Sequence, residues 1–184
     1  MPTDRGHALV IVDYQNDFTP PDGALAVPEG DEIAERINAL ARSGEYELVV
    51  ATRDWHPADH GSFEAQGGIW PVHCVQDTAG AELHPALDAD AVDEVVDKGQ
   101  DRETEGYSGF DGTRLAELLR ERGIDRITVV GLATDYCVKH TALEALQEGF
   151  TVIVDTAAVR GVEVRAGDSE RALAEMRAAG ANLA

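Results

Sequence analysis

Residues 126–149, RITVVGLATDYCVKHTALEALQEG, decide the fold. Positions 127–130 are a short apolar run rich in β-branched side chains, the pattern of a buried strand. Ala142, Leu143, Leu146 and a closing Gly149 mark one apolar face of a helix. A strand therefore runs into a helix across Thr134-Asp135-Tyr136-Cys137. Thr134 or Asp135 is expected to cap that helix, placing Cys137 in its first turn, where unpaired N–H groups and the helix dipole favour an anion. Such a position lowers a thiol pKa, and the same amides can receive an oxyanion. Cys137 reads either as a nucleophile or as a small apolar residue packed at a strand end.

Working outward, the same alternation recurs. Residues 7–12 are an apolar run that hands over to Asp13 in DYQNDF, after which Pro20, Pro21 and Gly23 break the structure. Ile33, Ile37, Leu40 and Ala41 repeat at helical spacing, and a second strand over 48–52 leads to Arg53-Asp54-Trp55-His56. A third short strand, 94–96, ends at Lys98-Gly99, and Leu115, Leu118 and Leu119 define a helix that closes at Gly123. Beyond the central unit come a buried strand over 150–155, a last helix with Leu173 and Met176 that Asp168 can cap, and a weak edge strand at 181–183. This order implies one α/β domain over 1–184, a three-layer α/β/α arrangement around a mostly parallel, doubly wound sheet. Ligands of such sheets sit beyond the carboxyl ends of the strands, so Asp13 and the segment from Asp54 are expected to share a site.

Residues 54–85 show little periodicity yet contain His56, His60, His73 and His84. A loop this long in a small domain is usually functional. In extended chain Asp54 and His56 point the same way and can grip one ion, with His60 or His73 completing the set; the alternative is a group of solvated loop histidines. Lys98 reads as a surface charge or as a buried cation holding a neighbouring carboxylate ionised. Lys139 reads as surface.

Composition narrows the function. The chain has 184 residues, 43% of them hydrophobic, and no apolar run approaches the ~20 residues of a membrane span. Its start shows no signal-peptide pattern, so a soluble, cytoplasmic protein is expected. Two cysteines suggest free thiols rather than a disulfide framework. A formal net charge of −20 disfavours nucleic acid or an anionic membrane as partner. Lys98 and Lys139 are the only lysines among 15 basic residues, and an acidic, lysine-poor surface suits a protein that works in high salt.

Six ordered motifs carry a resemblance: DYQNDF at 13–18, RDWHPADH at 53–60, WPVHC at 70–74, DKG at 97–99, GYSGF at 106–110 and GLATDYCV at 131–138. Together they resemble the nicotinamidase/pyrazinamidase branch of the isochorismatase-like hydrolases. That resemblance implies hydrolysis of nicotinamide to nicotinate and ammonia in NAD salvage, with pyrazinamide as a further substrate. It implies a catalytic triad of Asp13, Lys98 and Cys137, an oxyanion hole from the N–H groups of Ala133 and Cys137, and a cis peptide at Leu132-Ala133. It also implies a ring site of Phe18, Trp70 and Tyr107, and one divalent metal on Asp54, His56 and His73. His60 matches a fourth ligand of some relatives. The ligand set suits zinc foremost, with iron or manganese as alternatives. The expected partner is the small-molecule substrate, for a monomer or homo-oligomer. The competing readings are another amidase or carbamoyl hydrolase of the same fold, and a non-catalytic metal-binding domain.

Overall fold

Strand β1 (Gly6–Val12) alternates its buried side chains between two layers, with Ala8, Val10 and Val12 in one and Leu9 and Ile11 in the other. An apolar strand covered on both faces belongs at the middle of a parallel sheet. The computed structural model, which describes residues 6–184, places it there; Met1 to Arg5, part of the stretch read for a leader, lie outside the described residues. β1 pairs with β2 (Leu48–Asp54) on one side and β4 (Ile124–Leu132) on the other. With β3 (Glu94–Lys98), β5 (Thr151–Arg160) and β6 (Asn182–Leu183) the order is β3-β2-β1-β4-β5-β6, and every pairing is parallel.

The chain winds outward from β1 to β3, crosses back, and winds outward again from β4 to β6. That reversal opens a crevice between the carboxyl ends of β1 and β4. Right-handed crossovers put α1 (Ala34–Ala41) on one face, and α2 (Leu115–Glu121), α3 (Lys139–Gln147) and α4 (Asp168–Ala179) on the other. The α1 face is completed by irregular segments carrying Phe18, Val27, Cys74, Ala81 and Leu87. Gly131, with φ +112, lies at the crevice, and a Cβ there would run into the Val12 carbonyl oxygen. Only glycine lets β4 lie this close to the end of β1.

Two expectations are corrected. β5 runs on to Arg160 past a register shift opposite Val129/Gly131, longer than the apolar run indicated. Asp168 does not cap the last helix. It is the first helical residue, and the Glu163 carboxylate reaches ahead to accept the N–H groups of Gly167 and Ser169. Lys139 is partly covered and pairs with Glu175 of α4 at 3.5 Å. No helix among the described residues is long and apolar enough to cross a membrane.

Candidate active site

β1 delivers Asp13 directly beyond Val12, with its backbone in the left-handed region at φ 49. Its N–H donates to the Thr52 carbonyl at 3.1 Å, and its Oδ1 accepts from the Thr52 hydroxyl at 2.8 Å. With Oδ1 occupied, Oδ2 faces the crevice, 2.8 Å from Lys98 Nζ. Lys98 is the last residue of β3 and is 1% exposed, so a lysine that composition would place on the surface is fully interior. Its ammonium donates to Asp54 Oδ1 at 2.6 Å, to the Gly106 carbonyl at 2.7 Å and to Cys137 Sγ at 3.4 Å. One cation therefore serves two carboxylates and a thiol.

Cys137 lies in a π-helical turn, Thr134–Val138, between β4 and α3, and neither Thr134 nor Asp135 caps it. Asp135 turns away to hold another loop, accepting the N–H groups of Val162 at 2.9 Å and Glu163 at 2.8 Å. The expected lowering of the thiol pKa is also absent. Burial pushes the Cys137 thiol well up, Asp13 and Asp54 add to that, and Lys98 only opposes it. Burial likewise raises the Asp13 carboxyl, against the pull of Lys98. Lys98 keeps its charge: burial opposes it, but Asp13 and Asp54 together hold its pKa well above the usual lysine range. Cys137 thus rests as a neutral thiol, with an Asp13 carboxylate oxygen within 4.8 Å of its sulfur. Leu132-Ala133 is a cis peptide, and both residues line the cavity beside Cys137.

A second group adjoins the first. Asp54, His56 and His73 are buried, with one potential ligand atom each lying within 4.8 Å of the others. His56 Nδ1 donates to the Gly99 carbonyl at 2.7 Å and His73 Nδ1 to the Pro71 carbonyl at 2.8 Å, in the tautomers these acceptors require. Both Nε2 atoms then carry lone pairs, 3.3 and 3.9 Å from Asp54 Oδ2. Ring orientation by backbone carbonyls is the arrangement in which histidines hold metals, so these residues fit a divalent ion. A Cβ at Gly99 would sit 2.5 Å from His56 Cε1, so glycine is required for the ring to dock. Lys98 draws the Asp54 carboxyl well below the usual range despite its burial, with His56 and His73 adding to the pull. Asp13, Asp54 and Cys137 also converge within 4.8 Å, but the Lys98 ammonium fills that space and excludes a cation.

His60 does not join the ligand group. Its Nε2 faces the Thr104 carbonyl at 2.8 Å and its Nδ1 the Ser62 hydroxyl at 2.7 Å, while its ring stacks on His56 at 3.9 Å. Both nitrogens are engaged, so its ring backs His56 instead. Gln15 and Thr52, which sequence reasoning missed, hold Asp54 by its backbone and Asp13 by its carboxylate. Gln15 clamps the Asp54 backbone, accepting its N–H at 2.9 Å and donating to its carbonyl at 2.8 Å. Gln15 is a buried amide in the same motif as Asp13, which was the only available signal.

Cys137 of the triad, with Asp54 and His73, lines one narrow cavity of about 30 Å³, well below the roughly 300–1,000 Å³ of an open ligand pocket. Phe18, Trp70 and Tyr107 line it as expected, with Leu25, Leu132, Tyr136 and Val162, which were not anticipated. The Trp70 indole donates to the Tyr107 hydroxyl at 3.0 Å, and Tyr136 meets Trp70 edge-on with centroids 4.9 Å apart. A wider hollow beyond Trp70 and Tyr107, edged by Arg102 and Glu103, contains none of the triad. The aromatic walls suit one small planar ring whose substituent reaches Cys137.

The Isochorismatase domain model matches residues 7–184. The chain belongs to the isochorismatase family. Within it, the chain is 45% identical to the nicotinamidase of Escherichia coli (strain K12), covering 96% of this chain and 93% of that one. A pyrazinamidase of Pyrococcus horikoshii, solved in complex with zinc, is 48% identical with a TM-score of 0.89, covering 97% and 98%. A protein from L. infantum, solved in complex with nicotinate, is 37% identical with a TM-score of 0.93, covering 98% and 92%. The nicotinamidase/pyrazinamidase branch and the three-layer fold around a parallel sheet stand as expected from the motifs.

Proposed function

We propose that the chain hydrolyses nicotinamide to nicotinate and ammonia, with Asp13, Lys98 and Cys137 as its catalytic residues. One observation carries the reading: the buried Asp13–Lys98–Cys137 cluster adjoins the Asp54, His56 and His73 group, and Cys137, Asp54 and His73 together line one aromatic-walled cavity.

The Cys137 thiol proton passes to Asp13 Oδ2, and the thiolate forms a bond to the carboxamide carbon while the C=O electron pair moves to oxygen. Backbone N–H groups of Ala133 and Cys137 receive that oxyanion. Lys98 compensates the charge as the proton moves, and Thr52 keeps Oδ2 aimed at the reacting atoms. Asp13 then protonates the amide nitrogen, the C–N bond breaks, and ammonia leaves a thioester. Asp13 next takes a proton from water as the water attacks, and the second tetrahedral species expels Cys137 and releases nicotinate. Asp54, His56 and His73 would hold one divalent ion, zinc foremost, which would supply a Lewis-acid site for the pyridine nitrogen and a water. Phe18, Trp70 and Tyr107 hold the ring.

A net charge of −20 and the small cavity favour a cytoplasmic enzyme of NAD salvage that acts on a small molecule, without nucleic acid or membrane, as a monomer or homo-oligomer. The test is incubation of the metal-replete protein with nicotinamide. Equal release of ammonia and nicotinate, abolished in Cys137→Ala with fold and metal content retained, is expected. Absence of both products from folded wild-type protein would move the activity to another carboxamide or a carbamoyl substrate.

A further inference from the structure

Asp135 plays no part in the chemistry above, yet it is a 6% exposed carboxylate two residues from the nucleophile. Both its oxygens are spent on consecutive backbone N–H groups of one loop, Val162 through Oδ1 and Glu163 through Oδ2. The same loop is tied from its other side, because Glu163 accepts the N–H groups of Gly167 and Ser169 at the start of α4. Gly161, which leads into it, passes so close to Ser169 that a Cβ would collide with the Ser169 hydroxyl, and it would lie 3.2 Å from Asp135 Oδ1. Val162 is the only residue of this loop that lines the catalytic cavity. Asp135 therefore joins the turn that carries Cys137 and Tyr136 to the wall opposite them.

We propose that Asp135 is a positioning residue for substrate: it holds Val162 against the pyridine-ring cavity and so sets ring affinity rather than the rate of the chemical steps. The inference rests on the nicotinamidase reading. A carboxylate is required because two N–H donors point at one side chain. An amide can accept only one of them, and its own NH2 group confronts the other.

The test is steady-state kinetics of Asp135→Asn, Val162→Ala and the double variant with nicotinamide, beside wild-type enzyme in the same assay. Asp135→Asn is expected to raise KM about tenfold, the scale of one buried donor left unpaired, and to change kcat less than about threefold. Alkylation of Cys137 by iodoacetamide should proceed at the wild-type rate. Because Asp135 acts through Val162, the double variant should show a KM no higher than the worse single variant. Gly161→Ala, which crowds the loop chiefly from the Ser169 side and leaves the Asp135 carboxylate itself in place, should give the same KM-only signature and covers the case in which Asp135→Asn fails to fold. An unchanged KM in Asp135→Asn and Gly161→Ala, or KM increases that multiply in the double variant, would overturn the proposal. Inactive wild-type enzyme would instead refute the nicotinamidase reading, and quenching of tryptophan fluorescence by nicotinamide then reads the ring affinity of each variant without turnover.

Discussion

Replacing Lys98 with methionine removes a charge and keeps much of the volume. The ammonium lies 2.8 Å from Asp13 and 2.6 Å from Asp54, with both partners almost wholly buried. At an effective dielectric constant of ~20 each attraction is worth about 6 kcal/mol, and most of that is offset by the desolvation of the ions. Breaking such a pair from one side leaves the other charge stranded, and the net loss is about 3–5 kcal/mol. The loss should depend on pH in a defined direction. In the wild type Lys98 draws Asp54 well below its usual range, so Asp54 stabilises the fold above the unfolded carboxyl value of about 3.9 and loses that contribution only in strong acid. Without Lys98 burial dominates, so Asp54 rises above its unfolded value and Asp13, already raised by burial, rises further. Each then holds more proton in the folded than in the unfolded state, and stability falls as pH rises through that window by up to about 1.4 kcal/mol per unit per group. Urea unfolding of both proteins at pH 5 and pH 8, with a chelator present, should show a small deficit at the lower pH and the full deficit at the higher. Equal deficits at the two pH values, or a deficit below about 1 kcal/mol at pH 8, would refute the buried-cation account.

Two further outcomes follow from the geometry. His56→Ala should weaken zinc binding at least as much as the roughly 10–100-fold that loss of a mere supporting partner causes, whereas His60→Ala should leave zinc stoichiometry unchanged, both read by metal analysis after dialysis. A zinc-free His60→Ala protein would return His60 to the ligand set. With a net charge of −20, the melting temperature should climb as KCl is raised from ~0.01 to ~1 M, which shortens the screening length from ~30 to ~3 Å. A flat melting curve across that series would remove the high-salt reading of the surface.

The architecture was legible because buried parallel strands announce themselves as β-branched runs, and each run here ends on a residue with chemistry: Asp13, Asp54, Lys98 and then Cys137. Partners that reach across the fold were not legible. Thr52 meets Asp13, and Gln15 meets Asp54, across 39 residues of sequence, and Thr52 reads simply as a strand residue. The helix-start reading of Cys137 failed because a local pattern cannot register burial or two carboxylates supplied by other strands. Asp135 failed as a cap for a related reason: its pattern is that of a cap, but loop 161–163 offers it two N–H donors at once. For His60, spacing suggested a ligand, while the Thr104 and Ser62 groups that engage both nitrogens lie where periodicity gives no signal.

The central place of β1 has a consequence for the chain as it is made. β2 and β3 can dock on one side early, but the other side of β1 waits for Ile124–Leu132, which are synthesised far later. During that interval the strand that will present Asp13 is an open edge of ALVIV, with no charge, proline or bulge over 8–12 to discourage pairing with another chain. A ribosome-bound or truncated chain that stops before β4 is therefore an aggregation hazard, and the late-arriving strand that brings the nucleophile is also the one that seals the seam.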